Sequence, residues 1–488
     1  MFEEKRLHPV TIFFNILQFL KEFALPIIIG LFTFQGKALA IFLLIIGAAF
    51  VLILPFSIAS WYRFTYRVEE DELRIKHGIF IRKKRYISKN RIQSIDLTQS
   101  VIHRIFKLVK VKIETASSGD GAEASLKAVS LGEGELLRAE LKNMSKELND
   151  VSLEEESTTY PSDTITTRRL FLAGTTSGSI GVLLALAAVF FSQIEQFIPD
   201  DFYDETLQWV VGLSLIFIIG LVSILLLILY LLGIAGTMIK YGKFTNTKNK
   251  DELFITRGLL EKKQITIPLK RIQAVGIEES LLRQPLGFAT VFVEVAGGSL
   301  EKNEDFSTVL FPILKKDEIE SFFKKYLPGY QVERKKLCSL PKRALGYYFI
   351  RSCIPAIVLT GVLFYFLPDF LFLAGILLLL SLLQGFLKWR DGGYWLDERR
   401  LILRFRRGIH RTTMRIYHRR IQSVEIKKHP LHKRHRLATI QMSIIGMLGN
   451  GTHYTIKELN HVDANQIFDW YSYRKRAEFK NEGPFQNR

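Results

Sequence analysis

Cysteine is nearly absent from this chain of 488 residues, which contains only Cys338 and Cys353. Two thiols cannot build a disulfide framework, so we expect both to be free. Acidic residues are also in short supply, because 48 Asp and Glu stand against 67 Lys and Arg, for a net charge of +19. Hydrophobic residues nevertheless make up 48% of the chain. This mixture of apolar and basic blocks indicates a membrane protein of several domains.

Motifs that carry enzyme chemistry are missing as well. The sequence has no phosphate-binding P-loop, no dinucleotide-binding glycine fingerprint, no His-Glu-x-x-His and no nucleophile elbow. No cleavable signal peptide is expected, since no small-residue cleavage site follows the first apolar stretch. We therefore expect a protein that is not an enzyme and that needs neither a cofactor nor a metal ion.

Six apolar segments are long enough for membrane-spanning helices, which need about 20 residues. They come in three pairs joined by short connections, and Lys21, Glu22 and Pro26 interrupt the first of them. That segment forms either one kinked helix or an interfacial helix followed by a short span. The predicted spans are residues 10–34, 39–60, 170–191, 206–236, 345–367 and 370–387.

Charged residues at the ends of these segments indicate their orientation. The connections on one side, residues 35–37, 193–205 and 367–369, contain one lysine and six acidic residues. The opposite ends carry basic residues such as Arg63 and Lys240. Because positively charged flanks remain in the cytoplasm, we expect both termini and the three regions that follow the helix pairs to be cytoplasmic.

A repeated frame follows each pair of spans. The tripeptide Arg-Ile-Gln occurs three times, and a glycine precedes its arginine by 13, 13 and 12 residues. The glycine region predicts a hairpin, and alternating apolar residues at 111–115, 291–295 and 440–444 predict a strand. One small unit used three times explains this spacing. The repeat signature comprises Gly78, Arg91, Gln93, Gly258, Arg271, Gln273, Gly408, Arg420 and Gln422.

An amphipathic helix is predicted at the end of each repeat, where it lays one apolar stripe on a sheet. Several short strands closed by one helix make a small α+β unit. The stripe residues are Leu137, Leu141 and Met144 in the first repeat, Ile319, Phe322, Phe323 and Tyr326 in the second, and Ala464, Ile467, Phe468 and Tyr471 in the third.

This architecture resembles the bacterial pleckstrin-homology-like (PH-like) membrane proteins of the YdbT-like family. The likeness covers nearly the whole chain: paired helices, an aromatic and basic segment at 61–67 and 389–395, the glycine hairpin and the Arg-Ile-Gln strand. Residues 240–244 depart more from this pattern. The resemblance implies an α+β membrane protein of the bacterial plasma membrane, with six spans in three hairpins, each followed by a cytoplasmic PH-like β-barrel or sandwich with a C-terminal helix. It also implies a smaller PH-like membrane protein as a partner.

The predicted organisation alternates hairpins of helices with PH-like domains. The boundaries are 1–60 (first hairpin), 61–148 (first PH-like domain), 149–169 (linker), 170–238 (second hairpin), 239–330 (second PH-like domain), 331–344 (linker), 345–387 (third hairpin), 388–474 (third PH-like domain) and 475–488 (basic and polar tail).

Basic residues concentrate in the third repeat. Residues 388–488 contain 22 Lys and Arg against 9 Asp and Glu, which accounts for +13 of the net charge. A domain this basic beside a membrane suits an anionic leaflet or a partner protein, although a charged face can also serve solubility alone. The candidate docking surface comprises Arg404, Arg406, Arg407, Lys427, Lys428, Lys433, Arg434 and Arg436.

Two other groups of polar residues allow more than one interpretation. The signature arginines and glutamines are expected to satisfy backbone groups at the edge of each barrel, because buried polar groups need partners; the alternative is a ligand-facing pair. Seven of the ten histidines lie in the third repeat. They fit a pH-dependent addition to the basic surface better than a metal site, since neighbouring cations oppose a metal ion.

Together these features predict a non-enzymatic membrane protein whose PH-like domains dock anionic lipid headgroups or a partner membrane protein. A role in envelope maintenance or in resistance to membrane-active agents fits such a protein. The alternative function is a lipid or small-solute carrier, or a flippase, that uses the six-helix bundle. Nucleic-acid binding is not expected, because the sequence shows no motif for DNA or RNA recognition.

Overall fold

A computed structural model describes residues 4–34, 36–69, 71–115, 124–143, 161–176, 215–296, 307–332, 337–366, 372–445 and 451–472. Helices and antiparallel strands alternate along the chain, as the α+β prediction requires. Two compact units divide the chain between Pro268 and Leu269. The predicted linker at 149–169 and the tail at 475–488 lie largely outside the described residues.

The described helices range from one turn to 28 residues. Only three of them, rather than the six predicted, are long and apolar enough to cross a membrane: Gly36–Arg63, Ser223–Tyr241 and Lys342–Val362. Most of the predicted span at 170–191 lies outside the described residues. The helices are α1 (Thr11–Thr33), α2 (Gly36–Arg63), α3 (Val101–Ile105), α4 (Leu131–Asn143), α5 (Thr167–Thr175), α6 (Leu215–Tyr241), α7 (Arg283–Leu286), α8 (Glu318–Tyr326), α9 (Leu345–Phe366), α10 (Phe372–Asp391), α11 (Pro430–Arg434) and α12 (His461–Tyr471).

The first apolar segment forms one continuous helix, α1, although α1 is not among the three candidate membrane spans. Lys21 and Glu22 lie inside it, and Pro26 is accommodated without a break. Proline removes one helical hydrogen bond because it has no N–H, but it does not always end a helix. The last of the long helices, α10, ends in a turn that contains charged residues, including Lys388 and Asp391.

The strands are short and antiparallel throughout, as expected for alternating sequences with one wet face. They are β1 (Lys5–Arg6), β2 (Thr65–Val68), β3 (Glu72–His77), β4 (Lys83–Ser88), β5 (Ile92–Gln99), β6 (Leu108–Thr115), β7 (Ala124–Ser130), β8 (Ser162–Thr164), β9 (Thr245–Asn249), β10 (Glu252–Arg257), β11 (Lys262–Pro268), β12 (Ile272–Glu279), β13 (Phe288–Val295), β14 (Ser307–Lys315), β15 (Cys338–Ser339), β16 (Gly393–Leu396), β17 (Arg400–Arg407), β18 (His410–Tyr417), β19 (Ile421–Lys427), β20 (Leu437–Ile445) and β21 (Gly451–Asn460).

Each repeat consists of two halves along the sequence. The first half has three strands, and its last two form the predicted glycine hairpin, as in β3 and β4. A two- or three-residue strand that precedes the pair of long helices (β1, β8 or β15) adds a fourth strand. The second half begins with the Arg-Ile-Gln strand and contains three strands, a short helix and the closing helix. The predicted strands at 111–115, 291–295 and 440–444 are confirmed as parts of β6, β13 and β20.

Neighbouring repeats share sheets. The family resemblance instead implies a separate β-barrel or sandwich for each repeat. In the first unit the strand order β7-β6-β5-β11-β10-β9-β8 joins the second half of repeat 1 to the first half of repeat 2. In the second unit the order β14-β13-β12-β18-β17-β16-β15 joins repeats 2 and 3 in the same way. The outer halves form separate sheets, β1-β2-β3-β4 and β19-β20-β21. Pairing between repeats satisfies backbone groups that an open edge would leave to solvent.

Closing helices complete an apolar core in each unit. Leu137 and Leu141 of α4 pack with buried strand residues in the first unit, while Met144 lies outside the described residues. In the second unit all four predicted stripe residues of α8 are buried. The stripe of α12 is narrower than predicted, because Phe468 is 41% exposed.

Candidate functional site

Five of the exposed cations of the third repeat fall in one short segment that follows the Arg-Ile-Gln strand. Lys427 ends β19, and α11 begins at Pro430. The imidazole of His429 accepts a hydrogen bond from the backbone N–H of Leu431 and so caps this short helix. Proline suits the first turn, since no intrahelical donor is needed there. We call residues 427–436 the basic segment; its exposed cations are Lys427, Lys428, Lys433, Arg434 and Arg436.

Side chains from the beginning of α9 hold the basic segment. The hydroxyl of Tyr347 donates to the backbone oxygen of Leu431 at 3.1 Å and lies 2.6 Å from Nδ1 of His435. The guanidinium of Arg343, just before α9, donates to the backbone oxygen of Arg436 at 3.3 Å. The basic segment therefore lies at the start of a candidate membrane-spanning helix. Sequence reasoning missed Tyr347, although aromatic residues often mark the interface at helix ends.

A buried acid lies beneath the basic segment. Glu458 of β21 has no exposed surface, and it pairs with Arg351 of α9. Nε2 of His432 lies 3.6 Å from the same carboxylate. Burial lowers the pKa of the His432 imidazole below its usual range, so its charge is lost at a lower pH than that of a free histidine. His432 therefore adds little to the charge of the basic segment near neutral pH.

The structure separates the arginines of β17 from the basic segment. Arg406 is buried; its guanidinium pairs with Asp391 at 2.5 Å and donates to Gln284 at 2.8 Å. Arg404 is half-buried and donates to the backbone oxygen of Asp391 at 2.9 Å. Only Arg407 of the three is exposed. The prediction that Arg406 belongs to a docking surface is therefore corrected, because the charge of this arginine is used to bind the end of α10.

The signature residues contact backbone groups in the second and third repeats. Nε of Arg271 donates to the backbone oxygen of Ala296 at 2.8 Å, and the buried Gln273 amide donates to the backbone oxygen of Arg271 at 3.1 Å. Arg420 donates to the backbone oxygen of Lys270 at 2.7 Å. These contacts order the chain where the Arg-Ile-Gln strand begins.

The remaining signature residues show how far the three copies differ. Arg91 and Gln422 are exposed, and Gln93 is half-buried. The glycines Gly78, Gly258 and Gly408 all have positive φ at the hairpin turns. Within the described ranges, no group of three or more His, Cys, Asp or Glu side chains is arranged to hold a metal ion.

The chain has three repeats, and each follows a pair of helices and consists of antiparallel strands with a closing helix. This architecture defines a membrane-associated protein with PH-like domains. The bacterial PH domain family matches residues 16–145, 207–329 and 356–475, and the chain belongs to this family. The transmembrane protein YdbT of Bacillus subtilis strain 168 is 35% identical over 492 aligned residues, which cover 97% of this chain and 99% of that relative. Its name refers to no reaction and to no transported substrate.

Proposed function

We propose that this protein is a non-enzymatic integral protein of the plasma membrane whose third PH-like domain docks anionic lipid headgroups at the cytoplasmic surface. The basic segment carries this proposal, because Tyr347 and Arg343 hold its exposed cations beside the first turns of α9. A lysine or arginine near the surface of an anionic leaflet contributes about 1 kcal/mol of attraction. Leu431 in the same segment is 56% exposed and suits the apolar side of the interface.

The proposal includes six spans in three hairpins, with the domain boundaries given above and both termini in the cytoplasm. α1, α2, α6, α9 and α10 overlap five of the predicted segments, and α2, α6 and α9 form all or most of the three candidate membrane spans of the described residues. Basic flanks on the domain side support this orientation, since positively charged residues remain in the cytoplasm.

A partner and a physiological role complete the proposal. The partner is a smaller PH-like membrane protein, and the role is envelope maintenance or resistance to membrane-active agents. The carrier alternative receives no support, because neither the family description nor the relative's name refers to transport.

Titration of the full protein with a short-chain anionic lipid tests lipid docking. In a neutral detergent, dihexanoyl phosphatidylglycerol should raise the melting temperature, while dihexanoyl phosphatidylcholine should not, because a ligand that binds only the folded state stabilises it. The effect should shrink between 0.05 and 0.5 M salt as screening shortens the range of the charges. Changing Lys427, Lys428, Lys433, Arg434 and Arg436 to glutamine should weaken binding by at least about tenfold.

A matched variant controls for net charge. It removes five lysines of the second repeat, Lys243, Lys248, Lys250, Lys315 and Lys324. This variant should bind the anionic lipid as the unchanged protein does. Equal binding of the neutral lipid, or equal weakening by both variants, would show that the basic segment does not recognise the headgroup.

A further inference from the structure

The two junctions between repeats use the same register. Lys262, nine residues before the signature arginine of its repeat, lies opposite Gln99, eight residues after the preceding signature arginine. Arg411 and Glu279 occupy the same two positions at the other junction and also lie opposite each other. Two independent pairs of strands, one in each unit, therefore follow one rule. The same register can therefore be applied to β4 and β19, which correspond to the junction strands but have no strand of another repeat beside them in the described structure.

We call Lys262–Gln99 and Arg411–Glu279 the outer pairs of the two junctions. The two strands contribute different kinds of side chain to each outer pair. At both junctions the first half of a repeat supplies a cation, and the second half of the preceding repeat supplies an acidic or amide residue opposite it. Arg411 and Glu279 form an ion pair at 2.6 Å that is largely screened from solvent. Lys262 lies opposite Gln99 in the register, and the amide of Gln99 donates to the backbone oxygen of Leu108. Directly opposite side chains on antiparallel strands interact, and like charges at such positions are destabilising.

The closing helix of one repeat also covers the first half of the next. Arg138 of α4 donates to the hydroxyl of Thr266, and Glu320 of α8 pairs with Arg415. Both covered residues lie five positions before a signature arginine and are 6% and 7% exposed. The same position in the first repeat is Tyr86, which no preceding repeat covers and which is 54% exposed.

Two strand edges of the array have no neighbouring repeat. Within the described residues, β4 is the last strand of its sheet and pairs with β3, while β19 pairs with β20. At the outer pair position β4 is preceded by Arg82, which keeps the cation found at both junctions. β19 is followed by Lys428 where the junctions have Gln99 or Glu279. The β19 edge therefore has a cation at a position where neither junction has one.

The β19 strand of a second copy of this chain would pair poorly with the edge of β4, because both strands carry cations there. In the common register its β19 would place Lys428 opposite Arg82 and Lys427 opposite Lys83. Both pairs join like charges, which opposes association of copies end to end.

From this geometry we propose that the outer edge of β4 docks another protein through strand pairing. The occupant is an edge β-strand of that protein, with an acidic or amide side chain opposite Arg82 and a helix that covers Tyr86. Backbone hydrogen bonds along the added strand supply affinity, and the outer pair supplies selectivity. Different residues form this site and the basic segment, so lipid docking and strand docking can fail independently.

Charge exchange in the full-length protein tests the edge and its register. Cys338 and Cys353 are replaced by serine, and Lys84→Cys and Ile426→Cys are introduced, because these positions lie opposite each other in the common register. Oxidation of the purified protein should give almost no cross-linked chains. Adding Lys427→Glu and Lys428→Glu should raise cross-linking between chains by about tenfold, because both repulsive pairs become attractive. Further addition of Arg82→Glu and Lys83→Glu should abolish it.

The matched control is Lys248→Glu with Lys250→Glu, which makes the same charge change away from both edges and should leave cross-linking low. Equal cross-linking before and after the exchange would make a second copy the natural occupant and overturn the proposal. Absence of cross-linking in every variant would show that β4 does not accept a strand.

A photo-cross-linking residue at Tyr86 in membranes tests the natural occupant. The cross-linked peptide of the partner should come from a strand or from the helix that follows it, and that strand should carry an acidic or amide side chain. Arg82→Glu with Lys83→Glu should reduce the capture several-fold without changing binding of the anionic lipid. Cross-links to lipid alone, or to this chain itself, would overturn the proposal.

Discussion

Two glycines that hold the same place in the repeats lie in different turns. Gly258 has a φ of +107°, and a Cβ added there would lie 1.8 Å from the backbone oxygen of Glu261. Gly408 has a φ of +59°, and a Cβ added there would meet no atom within 4 Å. The spacing to the signature arginine is one residue shorter in the third repeat, and this tighter hairpin gives its glycine a left-handed conformation with open space around it.

Alanine should therefore be tolerated unequally at the two glycines. Gly408→Ala should cost about 1 kcal/mol, the ordinary penalty for a left-handed alanine. Gly258→Ala should cost about 3 kcal/mol or more, because backbone must move as well. Melting temperatures of the purified full-length variants measure the difference, and equal losses would contradict the assignment of two turn types.

Arg351 is the main counter-charge of the buried Glu458. Arg351→Met should destabilise the protein by about 3 kcal/mol, since it leaves a carboxylate in the interior with His432 and the hydroxyl of Tyr348 as its neighbours. Adding Glu458→Gln should recover more than half of that loss, because the buried charge is then gone. Thermal unfolding of the single and double variants checks this coupling. Arg434→Met, which removes an exposed arginine, is the control and should change little.

At the scale of elements, a buried acid connects β13 to β21 within the second unit. The hydroxyl of Tyr454 donates to Oε1 of Glu294 at 3.0 Å, while the other carboxylate oxygen is buried without a hydrogen-bond partner. Burial raises the pKa of the Glu294 carboxyl to about 7. The folded protein thus retains a proton that the unfolded chain has released above about pH 4.5.

Stability should consequently fall as the pH rises from about 4.5 through about 7, because the folded state must then bury a charge. Glu294→Gln should remove this dependence and stabilise the protein at pH 8 by on the order of 2 kcal/mol. Melting curves at pH 5.5 and pH 8 provide the measurement. The exposed Glu425→Gln serves as the control, and an unchanged pH dependence in Glu294→Gln would show that another group is responsible.

At the scale of the whole molecule, the proposed orientation makes a direct prediction. In a variant without Cys338 and Cys353, Asp201→Cys should react with an impermeant thiol reagent on intact cells. Gly449→Cys should react only after the membrane is opened, because the PH-like domains are placed in the cytoplasm. The reverse labelling pattern would invert the topology and place the basic segment outside.

Much of the fold follows from local patterns in the sequence. The repeated glycine and Arg-Ile-Gln spacing predicted the hairpins, and alternation at 111–115 predicted β6. The burial of Ile319 and Phe322 followed from helical periodicity. Such patterns are reliable because backbone geometry imposes them within a few residues, whatever the rest of the chain does.

The candidate site was predictable only in part. Exposure of Lys433 and Arg434 agrees with the concentration of charge that marked the third repeat. Arg406 carries the same charge but is buried against Asp391, from which it is separated by β16 and the turn that follows this strand. Composition does not distinguish these cases, because the role of a charge depends on which opposite charge the fold brings within reach.

Periodicity and charge were thus sufficient for the repeated α+β units, their closing helices and the basic character of the third repeat. Tertiary structure alone revealed that β5 pairs with β11 and β12 with β18, and therefore which strand edges remain open. Strand pairing is non-local: the groups that satisfy an edge can come from any part of the chain, and its backbone hydrogen bonds carry little sequence information. The repeated sequence pattern determines the fold of each half of a repeat. The pairing between halves of successive repeats determines which strand edges remain open for the proposed docking of another protein.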